Sequence, residues 1–130
     1  MVLPKRNDMK QVLLVDDNEA QLFAFKQLTR SCEFYVETAN SVKSAFDLLS
    51  RFRFDVVISD LNLTGINGHE GFDIVKQAKT LNAATRTFIL TAYDGQSERQ
   101  TAGEIGVEGF WAKPVPFAKL RKTIEAEPPL

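Results

Sequence analysis

Five short apolar runs punctuate the chain, at residues 12–15, 34–36, 56–58, 88–90 and 110–112. Each is rich in β-branched or aromatic residues and too short for a helix, which predicts five strands. The first, third and fourth runs are continuously apolar, the pattern of strands covered on both faces in a parallel sheet. Amphipathic stretches fill the gaps. Val42, Ala45, Phe46 and Leu49 recur at helical spacing and form the clearest stripe, with Asn40 or Ser41 placed to cap it. Leu22, Phe25 and Leu28 mark a second helix face, Ile74, Ala78 and Leu81 a third, and Phe117, Leu120 and Ile124 a last one. The segment from Gln96 to Ile105 is weaker, with only Ala102 and Ile105 plainly apolar, and is read as a helix from its place in the alternation. Strand and helix alternate five times, so the predicted fold is α/β, a doubly wound five-stranded parallel sheet with five helices.

Composition narrows the classes. The 130 residues, 44% of them hydrophobic, suffice for one domain with one sizeable core. Its expected extent is 11–125, with an N-terminal extension over 1–10 and a tail over 126–130. Sixteen basic residues against seventeen acidic ones leave no basic surplus, which argues against direct nucleic-acid binding. No apolar run is long enough to span a membrane, and the first residues lack the apolar stretch of a signal peptide. The single cysteine, Cys32, has no zinc-type neighbours and no internal disulfide partner; it is expected to be small and partly buried near the end of the first helix. A reducing, cytoplasmic setting fits this usage.

In doubly wound sheets the ligand site lies at the carboxyl ends of the strands. Here the first strand runs into Asp16 and Asp17, the third into Asp60, the fourth into Thr91, and the fifth into Lys113 and Pro114. Taken singly, an Asp-Asp pair is a cap and turn signal, and the other groups are ordinary loop residues. Taken together, several strand ends deliver three carboxylates, a hydroxyl and an ammonium to one edge. Three carboxylates and one lysine leave a local charge of −2. Like charges about 4 Å apart repel by roughly 4 kcal/mol at an effective dielectric of 20. Such an all-oxygen cluster calls for a hard cation, and Mg²⁺ with retained waters suits it. With the charge neutralised, a carboxylate can act as nucleophile toward a phosphoryl group.

These residues resemble a response-regulator receiver domain, the phosphoacceptor half of two-component signalling, over about residues 11–124. The resemblance rests on Asp16 and Asp17 after Leu14 and Val15, on Asp60 followed by Leu61, Asn62 and Leu63, on Thr91 with Ala92, and on Lys113 with Pro114. It implies a flavodoxin-like receiver fold and a set of roles. Asp60 would accept the phosphoryl group from a histidine kinase or phosphotransfer protein. Asp17 and Asp60 would bind Mg²⁺ directly, Asp16 through water, and Asn62 through its backbone carbonyl. Thr91 would hydrogen-bond the new phosphoryl oxygen, Lys113 would pair with it, and the Lys113–Pro114 peptide would be cis. Thr91 and Phe110 would be the switch pair. They would reshape a surface of fourth helix, fifth strand and fifth helix, roughly residues 94–124, for a downstream protein target, with a phosphorylation-linked dimer as a further mode.

The chain departs from the family pattern in three places. The loop after Asp60, over 64–70, is about three residues longer than usual, Thr64 stands where proline is frequent, and Phe110 lacks the hydroxyl of the common tyrosine. His69, in that loop, is expected to be a solvated residue rather than a phosphorelay histidine. Trp111 is expected in core packing, and Tyr93 is expected to border the site and slow water. A haloacid-dehalogenase-type phosphatase would need an acid at position 62, where Asn62 stands. A nucleotide-binding fold would need a glycine-rich loop after the first strand, which is lacking. A pseudo-receiver would lack site residues that are here present. No DNA-binding motif or second domain is visible, so the chain is read either as a stand-alone module or as a piece of a longer protein.

Overall fold

A computed structural model of the chain describes residues 7–64 and 68–127. Parts of the expected extension, loop and tail, at 1–6, 65–67 and 128–130, lie outside the described residues. Strands and helices alternate as β1 (Lys10–Val15), α1 (Glu19–Leu28), β2 (Phe34–Ala39), α2 (Val42–Arg51), β3 (Val56–Asp60), α3 (Glu70–Leu81), β4 (Arg86–Thr91), α4 (Gln96–Ile105), β5 (Gly109–Ala112) and α5 (Phe117–Glu125). The strands form one sheet in the order β2-β1-β3-β4-β5, with every pairing parallel. None of the described helices is long and apolar enough to cross a membrane.

Period-two alternation divides the core into layers. Val12, Leu14, Val56, Ile58, Phe88 and Leu90 face α1 and α5 through Leu22, Phe25, Leu120 and Ile124. Leu13, Val15 and Val57 face the other way, against Ala45, Leu48 and Leu49 of α2 and Ile74 and Ala78 of α3. Farther along that face, Ile89 and Phe110 meet Phe72, Val75 and Ala102 from α3 and α4. β1, β3 and β4 are buried along almost their whole length, which explains their continuous apolar runs. Truncating a fully enclosed ring such as Phe88 to alanine would cost about 3–5 kcal/mol.

Local signals set the helix ends. The Asn18 side chain accepts from the Gln21 N–H at 3.1 Å, and Ser41 and Ser44 form a reciprocal capping box. Gly106, at φ 88°, closes α4 in the left-handed conformation that glycine adopts most easily. Three positions read as helix core are instead exposed: Leu28 (54%), Phe46 (37%) and Leu81 (41%). Leu28 and Leu81 are the last residues of their helices. Phe46 sits at the edge of its stripe and lines a groove toward α3. Cys32 is buried rather than partly buried.

Beneath the sheet, at the end opposite the strand carboxyl ends, Arg86 is buried in a polar clamp. Its guanidinium pairs with Glu108 through two hydrogen bonds and donates to the carbonyls of Thr123 and Ala126 at 3.0 Å. Lys10 Nζ donates to the Ile124 carbonyl at 2.8 Å, so two cations from the sheet hold the otherwise unpaired end of α5.

Candidate functional site

The strand order reverses between β1, which pairs with β2 on its other side, and β3. Register brings Val15 beside Ser59, and so Asp16 beside Asp60. It also pairs Thr91 with Ala112, which sets Lys113 just past the end of β5. Asp16, Asp17 and Asp60 each present a carboxylate oxygen, and these atoms lie within 4.8 Å of one another. Asp16 and Asp60 are buried, whereas Asp17 opens to solvent. Lys113 Nζ donates to Asp16 Oδ2 at 3.0 Å and to Asp60 Oδ2 at 3.1 Å. The Lys113–Pro114 peptide is cis.

Asp16 is already occupied by the chain: its second oxygen accepts the Asn18 N–H at 2.9 Å. Burial pushes the Asp60 carboxyl above its ordinary range. The Lys113 ammonium pulls the other way, Asp16 adds repulsion, and the Asn62 N–H relieves part of it. Burial also opposes the Lys113 charge, but the hydrogen bonds and charges of Asp16 and Asp60 outweigh it and hold the ammonium above the usual lysine range. One lysine against three acids leaves excess negative charge. The donor set is all oxygen and converges from β1 and β3, so it fits a hard divalent cation.

A cavity of about 310 Å³ opens beside Asp60, lined by Asn62, Gly68, His69, Thr91, Tyr93 and Glu98 among others. The Thr91 hydroxyl reaches the edge as expected, but it is turned along its own loop. It donates to the Tyr93 carbonyl at 2.7 Å and accepts the Tyr93 N–H at 3.1 Å. Tyr93 borders the cavity and is 74% exposed. Asn62 lines the same cavity two residues beyond Asp60. Phe110 is already turned inward, packed with Ile89 and Ala102, and the Arg99 guanidinium lies over its ring. Trp111 packs on Phe88, with ring centroids 5.3 Å apart.

Two residues that sequence reasoning passed over shape the loop after Asp60. A Cβ on Gly71 would stand 2.3 Å from the Asp60 carbonyl oxygen, so α3 can begin this close to β3 only with glycine there. Glu70 is buried, and its carboxylate accepts from the Leu63 N–H at 3.0 Å and from the Thr64 hydroxyl. Burial disfavours that charge, but these donors outweigh it and hold the carboxyl below its usual range. An acidic residue in a first helical turn was a visible signal for Glu70; for Gly71 no sequence signal was available without the register of the longer loop.

The family model for the response regulator receiver domain matches residues 12–125. The transcriptional regulatory protein ZraR of Escherichia coli strain K12 is 29% identical over 119 residues, covering 92% of this chain and 26% of ZraR. The chain thus spans about a quarter of that relative's length. The non-phosphorylated HemR receiver domain of Leptospira biflexa superposes with a TM-score of 0.78 at 28% identity, covering 93% of this chain and 98% of that one. A crystal structure of a response regulator from Burkholderia pseudomallei, with a phosphorylated aspartic acid, calcium ion and citrate, shares the fold. Its TM-score is 0.78 at 21% identity, over 90% of this chain and 67% of that one.

Proposed function

The chain belongs to the response-regulator receiver family, a signalling module of two-component systems, and from that premise we propose that Asp60 is its phosphoacceptor. The observation that carries this reading is the pairing of Asp60 with Lys113 at 3.1 Å inside an acidic cluster at the strand ends. We assign the receiver unit to residues 11–125.

In the proposed reaction an Asp60 carboxylate oxygen bonds to the phosphorus of a phosphohistidine on a kinase or phosphotransfer partner. The phosphorus–nitrogen bond breaks, and its electron pair stays with the partner's imidazole. Lys113 remains beside the acceptor oxygen and offsets charge on the arriving phosphoryl group. Asp17 and Asp60, with the Asn62 carbonyl, would hold Mg²⁺ directly and Asp16 through water, while Asp16 also orders the site through Lys113 and Asn18. When bound, Mg²⁺ would neutralise the carboxylates and the phosphoryl oxygens, the main requirement of phosphoryl transfer. The calcium ion and phosphorylated aspartate of the Burkholderia relative support this reading.

Thr91 then exchanges the Tyr93 carbonyl for a phosphoryl oxygen, and the β4–α4 loop moves with it. The change is passed through Phe110 to the face built from α4, β5 and α5, which would meet a downstream protein or a second phosphorylated copy. We place the protein in the cytoplasm, the setting that its single cysteine fits; direct nucleic-acid contact forms no part of the proposal.

Incubation with acetyl phosphate and Mg²⁺ tests the chemistry. The protein should gain one phosphate that survives acid and is released by hydroxylamine. A protein that gains no phosphate from small donors or from any kinase would be a pseudo-receiver.

A further inference from the structure

The two described ends of the loop after Asp60 both border the acceptor: Asn62 on one side, and Gly68 and His69 on the other, line its cavity. Hydrogen bonds fix both ends. On one side Leu63 and Thr64 donate to the buried Glu70 carboxylate. On the other the Gly71 N–H donates to the Leu61 carbonyl at 2.9 Å, with no room for a Cβ on Gly71 beside the Asp60 backbone. His69 lies between these anchors. Its carbonyl accepts the Phe72 N–H at 3.1 Å, and its ring packs on the Phe72 ring with centroids 5.7 Å apart. It makes no side-chain cap on α3, and it is an exposed residue that also lines the cavity holding Asp60 and Thr91. Such a residue stands at the rim, where solvent enters.

We propose that His69, held there by the Glu70 clasp, is a positioning residue that covers the water side of the Asp60 cavity and so lengthens the life of the aspartyl phosphate. The proposal rests on Asp60 being the acceptor. Loss of the phosphate requires a water oxygen to bond to phosphorus while the bond from phosphorus to the Asp60 oxygen breaks, its electron pair returning to the carboxylate. Both water protons leave on the departing phosphate, as dihydrogen phosphate. An imidazole ring at the rim reduces the directions from which that water arrives. His69 thereby supplies a wall from the α3 side, while Tyr93 borders the same cavity from the β4–α4 loop.

The test uses the intact protein labelled with acetyl phosphate and Mg²⁺, freed of donor by rapid desalting, and followed by intact-mass spectrometry. His69→Ala should lose its label about three- to tenfold faster than wild type, a barrier change of about 0.7–1.4 kcal/mol. His69→Phe, which keeps the ring volume, should decay close to the wild-type rate. Glu70→Ala, which opens the clasp, should decay like His69→Ala if it folds; the two His69 variants decide the matter without it. Equal decay of wild type and His69→Ala would overturn the proposal while leaving Asp60 as acceptor. Fast decay of His69→Phe would also overturn it, because ring volume would then give no cover. No label on wild type would remove both the proposal and the reading it rests on.

Discussion

The guanidinium carbon of Arg99 lies 5.2 Å from the centroid of the Phe110 ring, and the same guanidinium pairs with Asp94 in the loop that follows Thr91. One side chain thus joins the β4–α4 loop to the aromatic residue of β5. An exposed cation–π contact contributes only about 0.5–1 kcal/mol, which suits a joint that must yield. A phosphoryl group on Asp60 would shift such a joint only through contacts that differ between two states, and in the proposed switch the Thr91 hydroxyl would supply one.

Beryllofluoride with Mg²⁺ should therefore change amide exchange over 94–124 and around Asp60, and change α2 little. The Arg99→Ala variant should exchange faster in β5 before ligand is added and respond less afterwards. Hydrogen exchange with mass spectrometry reads both. Uniform protection of α2 and α4 alike would mean simple stabilisation by ligand and would remove the Thr91–Phe110 relay.

Charge at the strand ends separates metal binding from response. Asp17→Ala should weaken Mg²⁺ binding and phosphorylation together, since it removes a carboxylate of the proposed cation site. Lys113→Ala removes the positive charge 3.0 Å from Asp16 and 3.1 Å from Asp60, so its Mg²⁺ affinity should hold or rise while the response to phosphorylation fails. Metal titration of the two variants checks this. A large loss of Mg²⁺ affinity in Lys113→Ala would contradict the charge argument.

Gly71→Ala places a methyl group where 2.3 Å separates it from the Asp60 carbonyl oxygen. Backbone must move, at a cost of about 2–3 kcal/mol. Urea denaturation should show that loss, and a change below about 0.5 kcal/mol, the range of neutral surface substitutions, would mean that α3 is not fixed against β3 there.

The Arg86 clamp gives a pH signature. Its hydrogen bonds hold the Glu108 carboxyl below the usual range, so its stabilisation is present above the unfolded value of about 4.3 and is lost as pH falls through the lower folded value. Glu108→Gln should cost about 2 kcal/mol at neutral pH, less than a fully buried pair because Glu108 keeps 33% exposure. Unfolding free energies of the two proteins should converge as the pH drops below the carboxylate range. A gap that stays constant down to that pH would show that the charge of Glu108 contributes nothing.

Much of this was legible in the sequence because the signals were local. Apolar runs buried on both faces located β1, β3 and β4, and the carboxylates lay at the ends of runs that could be counted. Asp16, Asp17, Asp60 and Lys113 converge because parallel register carries each strand end to the same edge. What stayed hidden depends on distance in three dimensions. Arg86 stands at the start of β4, and its partners come from the residue before β5 and the end of α5. The outward turn of Phe46 depends on how α2 lies across the sheet. The inward position of Phe110 and the turn of Thr91 toward Tyr93 depend on rotamers, which periodicity does not encode. His69 was visible as a loop residue, but its place on the rim of the Asp60 cavity follows from Gly71 drawing α3 against β3.

The central claim is that Asp60 itself carries the phosphoryl group, and borohydride trapping tests it most directly. Protein incubated with acetyl phosphate and Mg²⁺ would be reduced with borohydride, which attacks the acyl phosphate and spares ordinary carboxylates, then digested and mapped by mass spectrometry. The account predicts a single reduced side chain at Asp60, and none in Asp60→Asn. Reduction at Asp16 or Asp17 in the wild-type protein, or equal labelling of wild type and Asp60→Asn, would contradict it.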